Sequence, residues 1–295
     1  MLKQRVTTAI ILLLILIGTL FSGYKWPFAV LLSLLTACSI WEWLRLSMST
    51  RFTKLAIPIA ALCFIYFIYA VYLTELARFN AEPSSTPLAW THFLLLISPA
   101  VLAYWFFGAG FMLLMAYTKE RSHHVTLSVF GLLSLSVAWL ALLSMWLEYG
   151  PWYLISMLAI VWATDTFAYF VGRQWGKKRL ARRISPGKTW AGFFGGLVGA
   201  LIWVLVSAQF VGSFGFELVQ RWSWPGALVL TLFLSFISVV GDLFESLLKR
   251  RAKAKDSSHL LPGHGGVLDR IDALIPVAPL AAFLAGPWYD ALFVS

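Results

Sequence analysis

Between Ser246 and Asp272 the chain concentrates residues that could do phosphate chemistry. Asp269 and Asp272 stand three apart, after the run Pro262-Gly-His264-Gly265-Gly266. If a helix has begun there, both carboxylates share one face, which is unfavourable unless something positive sits between them. A magnesium ion would serve, since it takes one or two carboxylates together with waters and phosphate oxygens. A plainer reading has Asp269 capping the next helix and Asp272 in its first turn, favoured by the helix dipole. Asp242 and the basic cluster nearby weigh against it. Lys249, Arg250, Lys255 and Arg270 are suited to hold phosphates. Gly265 and Gly266 would let the backbone come close to a ligand, and Ser246 and His264 are candidate hydrogen-bond donors.

Three further acids interrupt otherwise apolar runs: Asp165, Asp242 and Glu245. An ionised side chain near a bilayer centre costs roughly 2.5–3.5 kcal/mol on insertion scales, so such residues face a polar cavity and mark function. Glu245 also has a simpler explanation, a helix-surface pair with Lys249 four residues on. A separate basic segment, Ser185-Pro-Gly-Lys188-Thr189, offers one more phosphate ligand and two hydroxyls. It is not a phosphate-binding loop of the Walker type, because the required upstream glycine is Arg182 here.

The elements that must carry these residues are membrane helices. Of 295 residues, 60% are hydrophobic and 12% charged, against about 25% charged in soluble domains. The mean hydropathy is +0.80, and Trp (15) and Phe (23) are abundant. A spanning helix needs roughly 20 mostly apolar residues. Nine runs qualify, near 7–23, 27–46, 55–76, 92–116, 125–147, 152–172, 190–211, 225–248 and 273–293. The expected fold is thus all-α and polytopic. The first run follows Lys3 and Arg5 like a signal peptide but lacks an Ala-x-Ala-like cleavage site, so it reads as an uncleaved helix. Cys38 and Cys63 lie in apolar runs and suggest neither a disulfide framework nor zinc.

Placing the N-terminus in the cytoplasm puts 20 of the 23 Lys and Arg residues on that side and leaves Lys25, Arg78 and Arg221 outside. That asymmetry predicts an outside C-terminus and a bacterial cytoplasmic (inner) membrane. It also accounts for most of the net charge of +10 without nucleic acid, for which no binding motif is present. Thirteen of the 20 fall in two connections, 173–189 and 249–272. The surplus suits a polyanion or anionic lipid headgroups. Residues 151–295 therefore read as the catalytic region, facing the cytoplasm. Residues 1–150 read as about five helices to which the sequence assigns no role. Gly192, Gly195, Gly196 and Gly199 form overlapping Gly-x-x-x-Gly patterns, suited to internal helix packing or, less well, to a homodimer.

The segment 246–272 resembles the signature of bacterial phosphatidate cytidylyltransferases, the CDP-diglyceride synthases. It matches at Ser246, Lys249, Arg250, Lys255, Asp256, Pro262, His264, Gly265, Gly266, Asp269, Arg270 and Asp272. Asp165, Ala168, Tyr169, Gly172, Gly176 and Lys177 resemble a second family block, and Ser185, Pro186, Lys188 and Thr189 a third. Ala191 departs from the pattern, where Glu or Gln is common. The resemblance covers about residues 150–290. It implies that phosphatidic acid and CTP give CDP-diacylglycerol and pyrophosphate with magnesium, and that Asp242, Asp269 and Asp272 serve the metal. Some descriptions of the family add a second, monovalent cation. A phosphate monoester is already largely dianionic at neutral pH, so no strong general base is needed and His264 is not cast as one. A CTP-dependent kinase of polyprenol- or phytol-type lipids, an anionic-lipid transporter, and a catalytically degenerate paralogue (the reading Ala191 keeps open) are the alternatives.

Overall fold

The computed structural model describes residues 2–79, 89–116 and 124–289. The expected inside charges Lys119 and Arg121 lie outside them. Helices dominate: α1 (Leu2–Leu20), α2 (Lys25–Ser47), α3 (Ala56–Phe79), α4 (Ala89–Ala103), α5 (Gly110–Leu114), α6 (His124–Trp175), α7 (Trp190–Ser207), α8 (Phe214–Arg251), α9 (Leu268–Ile271) and α10 (Leu274–Ala285). Among the described residues six helical stretches are long and apolar enough to cross a membrane. Large apolar side chains such as Leu62, Leu96 and Val229 point outwards, as a lipid-facing surface requires. The chain is an integral membrane protein.

Two of the nine expected runs meet end to end inside α6. Gly150 breaks that helix at φ 84°, ψ −178°, a conformation open chiefly to glycine, and Pro151 starts the returning half. Ser223 breaks α8 in the same way (φ 54°, ψ 173°), two residues before Pro225. The expected run 92–116 is α4 and α5 joined by a π-helical stretch, Tyr104–Ala109, where Phe106 stacks on Phe233 of α8 at 4.9 Å between ring centroids. The first and last runs are shorter than expected: the apolar part of α1 is Thr7–Leu20, and α10 has 12 residues.

The all-α expectation needs one correction. Residues Arg179–Ala181 (β1) and Ser185–Thr189 (β2) pair as a small antiparallel hairpin. Neither strand is apolar, so no alternation of hydrophobic residues marked them.

The helices pack through aromatics and glycines. Trp43, Trp105, Phe130 and Phe244 form one buried cluster, with Trp43 5.9 Å from Phe244. The Trp43 indole donates to the Leu127 carbonyl at 2.9 Å, and Trp139 donates to Ser33 Oγ at 3.0 Å, so both buried N–H groups are satisfied. The α7 glycines are spent within the chain: a methyl group at Gly196 would sit 2.9 Å from the Thr164 carbonyl, and one at Gly199 2.6 Å from the Phe167 ring. Of the two readings of that stripe, internal packing holds. At the other end of α10, the Ala285 carbonyl accepts from Tyr153 Oη (2.7 Å) and Arg221 (2.5 Å), while Leu284 accepts from Trp222 Nε1 (2.7 Å).

Candidate active site

Helices α6, α8 and α9 bring their acids to one end of the bundle. A cavity of about 450 Å³ is lined there by Asp165, Asp242, Asp256, Asp269, Asp272, Lys249 and Arg270, with Trp162 and other apolar neighbours. Five aspartates thus face two cationic side chains. Of the two basic connections, 249–272 supplies the cations of the lining, Lys249 and Arg270, whereas Arg173, Lys177, Lys178, Arg179, Arg182 and Arg183 of the other are exposed and outside it.

The acids fall into two groups, each with one lysine. Lys188, at the end of β2, forms an ion pair with Asp242 of α8. Asp165 and Asp272 share the electrostatic field of that pair. Burial and the Asp242 carboxylate push the Asp272 carboxyl well above its ordinary range, with Lys188 opposing them. Its Oδ1 accepts from the Ala273 N–H at 2.8 Å.

In the second group Lys249 bridges Glu245, four residues back on α8, and Asp269, at 2.6 Å from Oδ1. The expected Glu245–Lys249 pair exists, but Glu245 is 1% exposed, so the pair is buried and not on a helix surface. Asp269 Oδ2 accepts from Ser257 N (3.0 Å), Ser257 Oγ (2.9 Å) and Gly266 N (2.8 Å). Burial disfavours ionising Asp269. Hydrogen bonds with the Glu245 side chain, Lys249 and the Gly266 N–H, together with the Lys249 charge, outweigh it and hold the carboxyl well below the ordinary carboxylate range.

Asp269, in the four-residue helix α9, and Asp272, which follows it, line the same cavity, and each has a different lysine as its neighbour, Lys249 and Lys188. Among the described residues no three His, Cys, Asp or Glu side chains form a ready-made metal cage.

The remaining sequence candidates divide. Arg270 donates to the His264 carbonyl at 2.9 Å, and Arg250 Nε to the Ile184 carbonyl at 3.1 Å, which ties α8 to the hairpin. Thr189 is a buried helix cap: its Oγ1 accepts from Gly192 N at 3.1 Å at the start of α7. Ser185 and Ser246 are half-buried and lie outside the cavity lining. Asp256 lines both this cavity and a neighbouring one of about 650 Å³, which also contains Lys255, His259, Trp41 and Arg45. His264 contributes its backbone, and its Nδ1 is buried without a partner among the described residues.

The signature glycines serve the loop itself. Gly265 has φ +83° and pairs with Leu261 to reverse the chain. A methyl group at Gly266 would lie 1.9 Å from Ser257 Oγ and 2.5 Å from Glu42 Oε1. What approaches that backbone is a pair of protein side chains, where the sequence suggested a substrate phosphate.

Sequence reasoning passed over Glu42. It is an acid inside an apolar run, on α2, and is fully buried. It accepts from Ser257 Oγ (3.2 Å), Ser258 Oγ, Val267 N (3.1 Å) and Leu268 N (2.6 Å). The argument applied to Asp165 and Asp242 would have found it.

These features agree with what the chain resembles. The family model described as the Cytidylyltransferase family matches residues 3–286, so this chain belongs to that family, a class of membrane-embedded nucleotidyl-transferring proteins. At the level of individual relatives, it is 38% identical to the phosphatidate cytidylyltransferase of Pseudomonas aeruginosa, over 96% of this chain and 97% of the relative. It is 34% identical to that of Haemophilus influenzae (96% and 98%) and 32% identical to that of Bacillus subtilis (96% and 97%).

Proposed function

We propose that the chain transfers a cytidylyl group from CTP to phosphatidic acid, releasing pyrophosphate and forming CDP-diacylglycerol for phospholipid synthesis. The family membership and the names of the relatives support this reading, and one observation carries it into the site. A cavity with five aspartates and two cationic side chains would repel two polyanionic substrates unless cations enter with them. Magnesium, which keeps waters and takes phosphate oxygens, needs few protein ligands, and the aspartates lining the cavity offer them.

The donor set fits such an ion: hard carboxylate oxygens with a surplus of negative charge. Asp242, Asp269 and Asp272 would hold it. Asp269 Oδ2 accepts from three donors, so Oδ1, which meets Lys249, is the oxygen that would turn to the ion. Bound there, magnesium would neutralise phosphate charge in the transition state. A monovalent cation would find similar oxygen donors. The lipid phosphate, already dianionic, attacks the α-phosphorus of CTP, and the bond to the β-phosphate oxygen breaks as pyrophosphate leaves. Lys188, Lys249 and Arg270 place positive charge beside the phosphates. Arg250 and Lys255 lie on the same connection, and Asp165 and Asp256 shape the cavity wall.

The site faces the cytoplasm in this reading, from which CTP arrives, while the acyl chains stay in the lipid. Nine crossings with the N-terminus inside and the C-terminus outside follow from the charge asymmetry. Two contacts support that orientation. Thr8 of α1 donates to the Pro262 carbonyl at 3.1 Å, which brings the chain start to the site end. The far end of α10 is tied to Tyr153 and Arg221. A bacterial inner membrane suits this pattern.

The test is nucleotide transfer by the purified protein in detergent, with phosphatidic acid, magnesium and CTP labelled at either the α- or the γ-phosphate. Label from the α-phosphate should enter the lipid and be lost in Asp269→Asn without unfolding. Label entering only from the γ-phosphate would make the chain a lipid kinase. An Asp269→Asn variant with near-normal turnover would refute the metal assignment.

A further inference from the structure

We infer that Glu42 is a positioning residue for the transfer reaction, a carboxylate from the N-terminal half that clamps both arms of the 257–268 loop and so sets the place of Asp269. The inference rests on the cytidylyl-transfer reading above for what the loop does.

Four donors converge on Glu42, and they come from two separate stretches of one loop. Oε1 receives Ser258 Oγ and Val267 N, and Oε2 receives Ser257 Oγ and Leu268 N. The acceptor and its donors are 215 to 226 residues apart in sequence, so this is a tertiary clamp and not a local turn. None of the four donors is cationic, so the arrangement does not form the ion pair that a buried acid usually seeks. Such a carboxylate is held by directed bonds, and directed bonds fix geometry.

The loop passes this geometry on. Leu268, held by its N–H, precedes Asp269 directly. Ser257 donates both its N–H and its hydroxyl toward Asp269 Oδ2, and that hydroxyl lies between the two carboxylates. Gly266, whose N–H is the third donor to Asp269, has no room for a methyl group because Glu42 Oε1 and Ser257 Oγ occupy the space. On the other side Trp43, the next residue of α2, packs its ring against Phe244 of α8, one position before Glu245. Adjacent residues of α2 thus brace the loop and the helix that carry the two ends of the Lys249 bridge. Glu42 touches no reacting atom in this arrangement and acts through the loop alone.

The experiment uses the full chain in detergent, with Glu42→Gln, Ser258→Ala and their combination. Glu42→Gln keeps the shape but turns an amide N–H₂ towards two donors. Loss of a group that orients a ligand typically costs about 10–100-fold, so kcat should fall by about that much while KM for CTP moves by less than about 3-fold. Hydrogen exchange of the 256–268 amides should quicken, with the helices unchanged. Ser258→Ala, which removes one donor, should lower kcat in the same direction by a smaller factor. The double variant should lose less than the product of the two. Unchanged kcat in a folded Glu42→Gln protein overturns the inference, as does a loss of kcat with unaltered loop exchange, or equal loss of kcat and KM with a general fall in melting temperature. If Glu42→Gln does not fold, Ser258→Ala decides alone, and unaltered kcat and exchange overturn the inference. Exchange needs no nucleotide, so a failed label-transfer assay on the wild type would sink the cytidylyl reading while leaving the clamp measurable.

Discussion

The two acid–lysine groups of the cavity are built from the same residue types and held in different ways. Asp242 and Lys188 meet through side chains alone, on α8 and the hairpin, with about a quarter of each side chain exposed (30% and 25%). Asp269 and Glu245 meet Lys249 with 6%, 1% and 14% exposure, and backbone N–H groups fix Asp269 from behind. The first group can exchange its lysine for a ligand at the lower cost, because a partly exposed pair is screened by solvent and is worth less than a buried one. The second does so only at a higher cost, since removing one partner from a buried pair costs about 3–5 kcal/mol. In the proposed reaction similar residues would do different work: the more open group would yield more readily to the substrate, and the buried one would keep its shape while it carries its ligand.

That division can be broken most directly at the lysines. Lys249→Met should lower stability by about 3–5 kcal/mol, and Lys188→Met by about 1 kcal/mol or less, both read from thermal unfolding in detergent. Equal losses would erase the distinction. Asp242→Asn should leave melting nearly unchanged while reducing α-phosphate transfer by about 10²–10³-fold, the scale of losing one preorganised charge at a reacting centre. A variant that retains transfer would move the cation away from the open group.

The third expectation concerns pH. Metal ligands must be deprotonated to bind, and the Asp272 carboxyl is raised well above its ordinary range. As a ligand of magnesium Asp272 would have to lose that proton, so the magnesium concentration giving half-maximal activity should fall as pH rises. A flat profile would remove Asp272 from the ligand set. Chelation should stop turnover and added magnesium restore it. The smallest effect is expected at Ala191, half-buried in the first turn of α7. Ala191→Gln should change kcat by less than about 3-fold, and a large gain would show that a polar contact is missing there.

Much of the site was legible because membranes make charge conspicuous. Asp165, Asp242 and Asp272 stood out against apolar runs or beside a glycine turn, and they do share one cavity. The helical breaks at Gly150 and Ser223 fall where the expected runs ended or began. What stayed hidden depends on folding back. Thr189 looked like a substrate ligand because hydroxyls that cap helices and hydroxyls that bind phosphates read alike in one dimension. Gly266 looked like space left for a ligand because nothing local says that Glu42 fills it. Glu42 itself was readable as a buried acid, but its partners lie more than 200 residues away, beyond any periodicity or motif. The hairpin was hidden because polar strands carry no alternation.

The clamp on the last residue of α10 has a mechanical consequence. Helix α10 has 12 residues, about 18 Å at 1.5 Å per residue, and follows Asp272 almost at once. Tyr153 and Arg221 grip its last carbonyl. The helix is therefore a strut of set length between that carbonyl and Asp272, so a shift of the elements that carry Tyr153 and Arg221 would be felt as a displacement at Asp272.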